Sequence, residues 1–237
     1  AGDLPSEKRF WQEYGFNING NLGEAKFNLD VDTITNVFAD EDSAFGYEEN
    51  DSNDFVMDSA LLTVMYGDFT ALVGDHSDVS IAPYFVDEED LEGLALVTNQ
   101  FGWDWNFLVA GYGEEDATND EDDIYGFTAN KEMDFGTVTG RLYQVRVPGD
   151  DHLLGAAEVA DVALTDVVTV GGEVAFSADG TDSDFLAGVN GEFAASDALT
   201  VTGMVEVAGE DFYAYKGDLK ENTGDYNKFG VGAEYAL

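Results

Sequence analysis

The chain has 237 residues, 44% of them apolar, which is enough to bury a core and excludes a disordered acidic tail. Fifty acidic side chains against nine basic ones give a formal charge of −41, so nucleic acid is excluded as a partner and cations are favoured. There is no cysteine, which excludes disulfides and thiolate metal centres.

Read from the N-terminus, Ala1, Gly2 and Asp3 are the kind of residues that signal cleavage leaves behind, so export is expected. No run reaches the roughly 18 to 20 uninterrupted apolar residues of a spanning helix, so any membrane crossing must use strands. Period-two alternation then recurs in segments of about ten residues. Over residues 25–33, Phe27, Leu29, Val31 and Thr33 point one way while Lys26, Asn28, Asp30 and Asp32 point the other. Trp103, Trp105, Phe107 and Val109 alternate against Asp104, Asn106, Leu108 and Ala110, and the pattern returns around Glu173, Glu192 and Glu206. The segments near 10–20, 25–38, 54–66, 69–75, 92–100, 103–113, 124–133, 137–147, 153–163, 167–177, 184–194, 199–208 and 228–237 make about thirteen candidate strands. Those at 54–66, 137–147 and 153–163 alternate poorly, and their faces stay unassigned.

The connections alternate in length. Short turns sit at residues 21–23, 67–68, 101–102, 134–136, 165–166 and 196–197, and longer acidic loops at 39–53, 75–91, 113–123, 148–151, 178–183 and 209–227. Pro5, Pro83 and Pro148 fall in the N-terminal tail or in loops, where a missing N–H breaks no ladder bond. Short on one side and long on the other is the rhythm of an all-β, closed, antiparallel up-and-down transmembrane barrel, here a single domain over 1–237. Even strand numbers are the norm, so twelve to fourteen are expected and fourteen favoured, with residues 81–86 and 212–217 as the strands left out of the count.

The ending, with Phe229, Val231, Ala233, Tyr235 and Leu237 alternating up to the last residue, resembles the terminal strand that barrel-assembly machinery recognises, with leucine where phenylalanine is usual. The stretch 66–75, a long loop, and the apolar restart at Leu91 are similar to hairpins of bacterial porins. The whole chain thus resembles the porin-like outer-membrane barrels of Gram-negative bacteria. That resemblance implies a bacterial outer-membrane location, contact with lipid and lipopolysaccharide, a homotrimer as one assembly, and one loop folded into the lumen. The candidate is 75–91, whose apolar residues 79–86 would pack against the wall while Asp87, Glu88, Glu89 and Asp90 face water. Such porins also set an arginine cluster against loop carboxylates. Here only Arg9, Arg141 and Arg146 exist, which favours a mainly negative pore.

Alternation makes Lys26, Asp30, Asp32, Asp104, Glu173, Glu192 and Glu206 the expected pore-lining charges, and rings of carboxylates attract cations. The expected function is therefore a passive pore for small hydrophilic solutes, cation-preferring and without a cofactor. The acidic runs at 40–42, 48–51, 87–90, 114–116 and 120–123 offer loose calcium or magnesium binding, though none has the spacing of an EF-hand, and a solvated surface suited to salty water is the plainer account. His76 and His152 have carboxylates beside them, as chance alone would provide in so acidic a chain, and no catalytic residue or metal ligand set is assigned. Trp11, Trp103, Trp105, Tyr14, Tyr112 and Tyr125 lie near strand ends, where barrels carry aromatic girdles. Two other readings remain open at this point: a non-conducting barrel serving as anchor or adhesin, and a secreted halophilic all-β binding domain.

Overall fold

The structure, a computed structural model, describes residues 11–36, 55–87, 89–112, 122–196, 198–215 and 226–236. Every regular element among them is a strand: β1 (Trp11–Leu22), β2 (Ala25–Asn36), β3 (Phe55–Tyr66), β4 (Phe69–Val79), β5 (Glu89–Gln100), β6 (Trp103–Tyr112), β7 (Asp122–Met133), β8 (Gly136–Val147), β9 (Asp150–Thr165), β10 (Val168–Ala178), β11 (Ser183–Ser196), β12 (Leu199–Ala208) and β13 (Tyr226–Tyr235). Each pairs antiparallel with the next in chain order, so the fold is one thirteen-stranded meander. Strands of 10 to 16 residues match an apolar band: about ten residues at ~3.3 Å each, tilted by ~40°, cross roughly 25 Å.

Three expectations change. Among the described residues β1 pairs only with β2 and β13 only with β12, so the sheet is open between these two edges and the described strands number thirteen rather than fourteen. Residues 81–86 are not a strand: they form a tight turn closed by a bridge between Ala82 and Val86, with the Ile81 amide donating to the Val86 carbonyl. Residues 212–215 are irregular too. Both segments pack by side chains against the inside of the sheet, and buried aromatics anchor them without a ladder. The loop expected at 148–151 shrinks to the turn at Pro148 and Gly149, because β8 and β9 keep pairing up to Val147 and Asp150.

Register fixes which residues share a face. Asp30 pairs with Leu61, Leu61 with Gly74, Gly74 with Gly93, Gly93 with Ala110, Ala110 with Ile124, Ile124 with Val145 and Val145 with His152. The buried cluster of Ile81, Ala82, Tyr84, Phe85 and Val86 with Ala110, Ile124, Val145, Leu154 and Leu186 lies on that same face. Strands as far apart in sequence as β5 and β12 therefore converge on one segment, and the sheet curls with this face inward. The opposite face carries the greasy rows: Phe229 is 85%, Val231 84% and Val189 65% exposed. Side chains left uncovered in that way need an apolar neighbour outside the chain.

One glycine lets the wall close up. Gly126 pairs with Tyr143, and a Cβ there would lie 2.1 Å from the Leu142 carbonyl oxygen and 2.7 Å from Tyr143 Cδ1. Its absence lets the tyrosine ring lie flat over the backbone of β7.

Candidate functional site

The inward segment is seated by aromatics. Phe85 meets Tyr143 and Tyr215 with ring centroids 6.1 Å apart in each case, and Tyr84 meets Phe212 edge-on at 5.9 Å. Such geometries favour the positive ring edge against the negative face. Tyr143 shares a 2.9 Å hydrogen bond with Thr128, and Tyr215 donates to Asp122 at 2.9 Å. The connection after β12 thus reaches across the inside to β7, and the Tyr213 amide donates to Ser177 on β10 at 2.8 Å. Burial, with Asp122 and Asp150 nearby, pushes the Tyr213 phenol up to about 12.

Beside this apolar seat lies a charged group near mid-height of the wall. Arg141 donates from one terminal nitrogen to Glu158 at 2.8 Å and from the other to Glu173 at 3.1 Å. The Tyr84 hydroxyl, on the inward segment, donates to the same oxygen of Glu173. Burial first, and Glu173 second, raise the Tyr84 phenol well above its ordinary range, so it stays a donor. The guanidinium side chain is 13% exposed and the two carboxylates 30% and 20%. Two carboxylates on one guanidinium leave the group negative, and Glu206 adds to it from β12.

The seven charges expected from alternation all fall on the inward face, but in separate places. Asp104, Glu173 and Glu206 lie along one cross-strand row through Asn130, Thr139, Glu158 and Gly188, which ends on Lys228. Asp104 accepts a 2.6 Å hydrogen bond from Asn99. Glu192 lines a recess of about 500 Å³ with Asn190, Thr202 and Met204. Lys26, Asp30 and Asp32 stand on β2, where Asn17 donates to Asn28 at 2.9 Å and also to Asp30. Ser59 donates to Asp32 at 3.4 Å.

The acidic stretch of the expected constriction is placed differently from its apolar part. Residues 81–86 are inside, whereas Glu89 and Asp90 already belong to β5, Asp87 accepts from Ser80 at 2.8 Å, and Asp90 accepts the Asp78 amide at 3.1 Å. Glu88 lies outside the described residues, as do the acidic runs at 40–42, 48–51 and 114–116 and Asp120 and Glu121. Asp122 and Asp123 open β7. Sequence reasoning missed Arg141, Glu158, Lys228 and Tyr84. Arg146, by contrast, points outward and is matched with Tyr125, Asp123 and Asp151 near the loop rim. His76 is inward, with Nε2 3.3 Å from the Gly93 carbonyl oxygen.

At the short-turn end of the outer face, Trp105 stacks on Phe107 and tilts against Trp103 and Phe127, and the Lys131 ammonium lies 5.5 Å from the Trp103 ring centre. This is an interfacial belt of aromatic and cationic side chains.

No family model and no curated protein matches the sequence. Solved structures do match. A mutant of the porin of Rh. blastica aligns at 14% identity and a TM-score of 0.54, over 97% of this chain and 80% of the porin. OccAB2 of Acinetobacter baumannii aligns at 11% and 0.57, over 97% and 71%. OpdK of Pseudomonas aeruginosa, solved with vanillate, aligns at 9% and 0.56, over 96% and 72%. At such identities the shared property is the fold, which is that of the Gram-negative outer-membrane porins.

Proposed function

We propose that this chain is a passive outer-membrane pore for small hydrophilic solutes that prefers cations, and that it is not an enzyme. The observation that carries the reading is the division of faces: aliphatic and aromatic rows lie exposed on the outside, while a charged row with excess carboxylate runs along the inside of the curled sheet. A soluble sandwich buries its greasy face, whereas here lipid is the partner that face requires.

Closure follows from strand direction. In an antiparallel meander of thirteen, β1 and β13 run the same way and cannot pair antiparallel, so a barrel of this kind takes one more strand between them, fourteen in all. The path then runs past Tyr84 and the Arg141 group, with Asp30, Asp32, Asp104, Glu192 and Glu206 drawing cations along it. The proposal includes lipopolysaccharide as the outer-leaflet neighbour, loosely held calcium or magnesium at the acidic loops, a saline habitat that screens the charge, and a homotrimer.

Planar-bilayer recording on refolded protein tests it. Stepwise conductance with a cation-selective reversal potential is expected. Anion-selective steps would overturn the cation preference. Silence from folded protein would favour a barrel plugged by its two inward segments, an anchor rather than a pore.

A further inference from the structure

Above the apolar seat, at the loop rim, three side chains face one another without contributing to the permeation path. Asp150 and His152 stand two residues apart on β9 and so share its inward face. Asp179 follows the last residue of β10, Ala178, which pairs with Leu153, and this sets Asp179 beside His152. One ligand atom from each of the three lies within 4.8 Å of the others.

The hydrogen bonding around these groups is divided in a particular way. Asp179 accepts the amides of Thr181 at 2.8 Å and Asp182 at 2.7 Å, both on Oδ1. Asp150 accepts the Asp151 amide at 2.9 Å, again on Oδ1. Each carboxylate is thus oriented by backbone through one oxygen and keeps Oδ2 for another partner. His152 has a side chain only 9% exposed, yet its Nε2 is 3.8 Å from Asp150 Oδ2, too long for a hydrogen bond, and its buried Nδ1 has no partner. A buried imidazole without hydrogen bonds is costly. Its plane is fixed by Tyr213, which stacks on it with centroids 3.4 Å apart and planes within 2°.

We infer that Asp150, His152 and Asp179 form a binding site for a divalent first-row transition ion, of the zinc type, at the outer mouth of the barrel. One imidazole nitrogen and two carboxylate oxygens with a remaining open position is a donor set such ions accept. Calcium and magnesium suit it poorly, since they take six or more oxygens and no nitrogen. A bound ion offsets the repulsion between the two carboxylates and gives one imidazole nitrogen a partner. It also ties the start of β9 to the turn after β10 and, through the His152–Tyr213 stack, steadies the inward segment after β12. The site is independent of whether the barrel conducts.

The test is equilibrium dialysis and calorimetry of Zn²⁺ on the refolded full chain in detergent, with 10 mM Mg²⁺ present to occupy the diffuse acidic surface (about ten-thousandfold over micromolar Zn²⁺, so that only a selective site registers). One ion per chain is expected, with X-ray absorption showing imidazole scattering and with a denaturation midpoint that rises with free Zn²⁺. Asp179→Asn keeps the amide bonds to Oδ1 and changes only one half-buried side chain at the loop rim, so it folds. It should weaken Zn²⁺ at least tenfold, as should Asp150→Asn, and His152→Gln should remove the imidazole signal. Zn²⁺ binding unchanged in both aspartate variants, or displaced by Mg²⁺, would overturn the site.

Discussion

The inside of the molecule has two unlike walls. On β1 to β3 it is wet: Asn17, Asn19, Asn28 and Asp30 bond to one another in a carboxamide and carboxylate ladder, and Ser59 on β3 donates to Asp32 beside it. On β5 to β12 the loop-side half is dry, with Leu91, Ile124, Tyr143, Val145, Leu154 and Leu186 closed over residues 81–86. Both walls carry exposed aliphatic and aromatic residues on their outer faces. The difference teaches that an inward position takes a polar residue only where water reaches it, and an apolar one where the chain folds back on itself. A solute path would then be eccentric, along the wet wall and past the Arg141 group that borders the dry one.

The comparison breaks most completely if the seat of the inward segment is removed. Phe85 is 1% exposed and meets two tyrosine rings, so Phe85→Ala should cost about 3–5 kcal/mol, as buried phenylalanines do. Guanidinium unfolding followed by heat-modifiable gel mobility measures this. In bilayers the same variant should conduct more than wild type, because the loosened segment lets water reach the dry wall. An unchanged midpoint would mean that the segment contributes nothing to the wall.

Next comes the border group. Arg141→Gln leaves Glu158 and Glu173 facing each other with less compensation, and since both keep some contact with water the expected cost is roughly 1–3 kcal/mol, below that of a fully buried pair. Its electrical effect is the sharper readout: the ratio of cation to anion permeability should rise. Arg146→Gln is the control, since that exposed side chain points outward, and it should leave both stability and selectivity unchanged.

Why alternation found the seven inward charges and missed Arg141 follows from the same contrast. Lys26, Asp30 and Asp32 were legible because β2 has water on one side and the greasy row on the other. Arg141 was not, because β8 puts Thr139, Arg141, Tyr143 and Val145 inward and Val138, Leu142 and Gln144 outward, mixing polar and apolar on both faces. Of the three strands that alternate poorly, 137–147 and 153–163 have inner faces that hold Tyr143, Val145 and Leu154 of the buried cluster, whereas 54–66 contributes nothing to it. In those two strands the apolar inward residues mark where something packs inside the sheet. The edges were illegible for another reason: strand count depends on pairings between distant segments, which no local period encodes. Nor does any spacing announce Asp150, His152 and Asp179, which only the pairing of β9 with β10 brings together.

Tyr84 links the inward segment to the border group, and its pH dependence separates the hydrogen bond from mere packing. At neutral pH, Tyr84→Phe should cost about 1.5–3 kcal/mol, the range for a hydrogen bond to a charged acceptor. The folded phenol is raised above its unfolded value, so its stabilisation is full below about pH 10 and declines above that, as the unfolded chain ionises first. The gap between wild type and variant should therefore narrow as pH rises past 10. A gap constant from pH 8 to 11 would show that the phenol is not held in its protonated form.

The smallest effect tests the wet wall. Asp30→Asn with Asp32→Asn keeps the shape and most acceptors of the ladder while removing two charges from residues in contact with water, so stability should shift by about 0.5 kcal/mol or less. Because interaction with a passing ion falls with distance and salt, the loss of cation preference should be clear at 0.05 M salt and nearly absent at 1 M, where the Debye length is only about 3 Å. Reversal potentials of the double variant at the two salts measure this directly. If instead the variant equals wild type at low salt, ions do not pass along β2 and the eccentric path is wrong. A loss that persists undiminished at 1 M would place Asp30 and Asp32 within direct contact of the ion, at a constriction of their own.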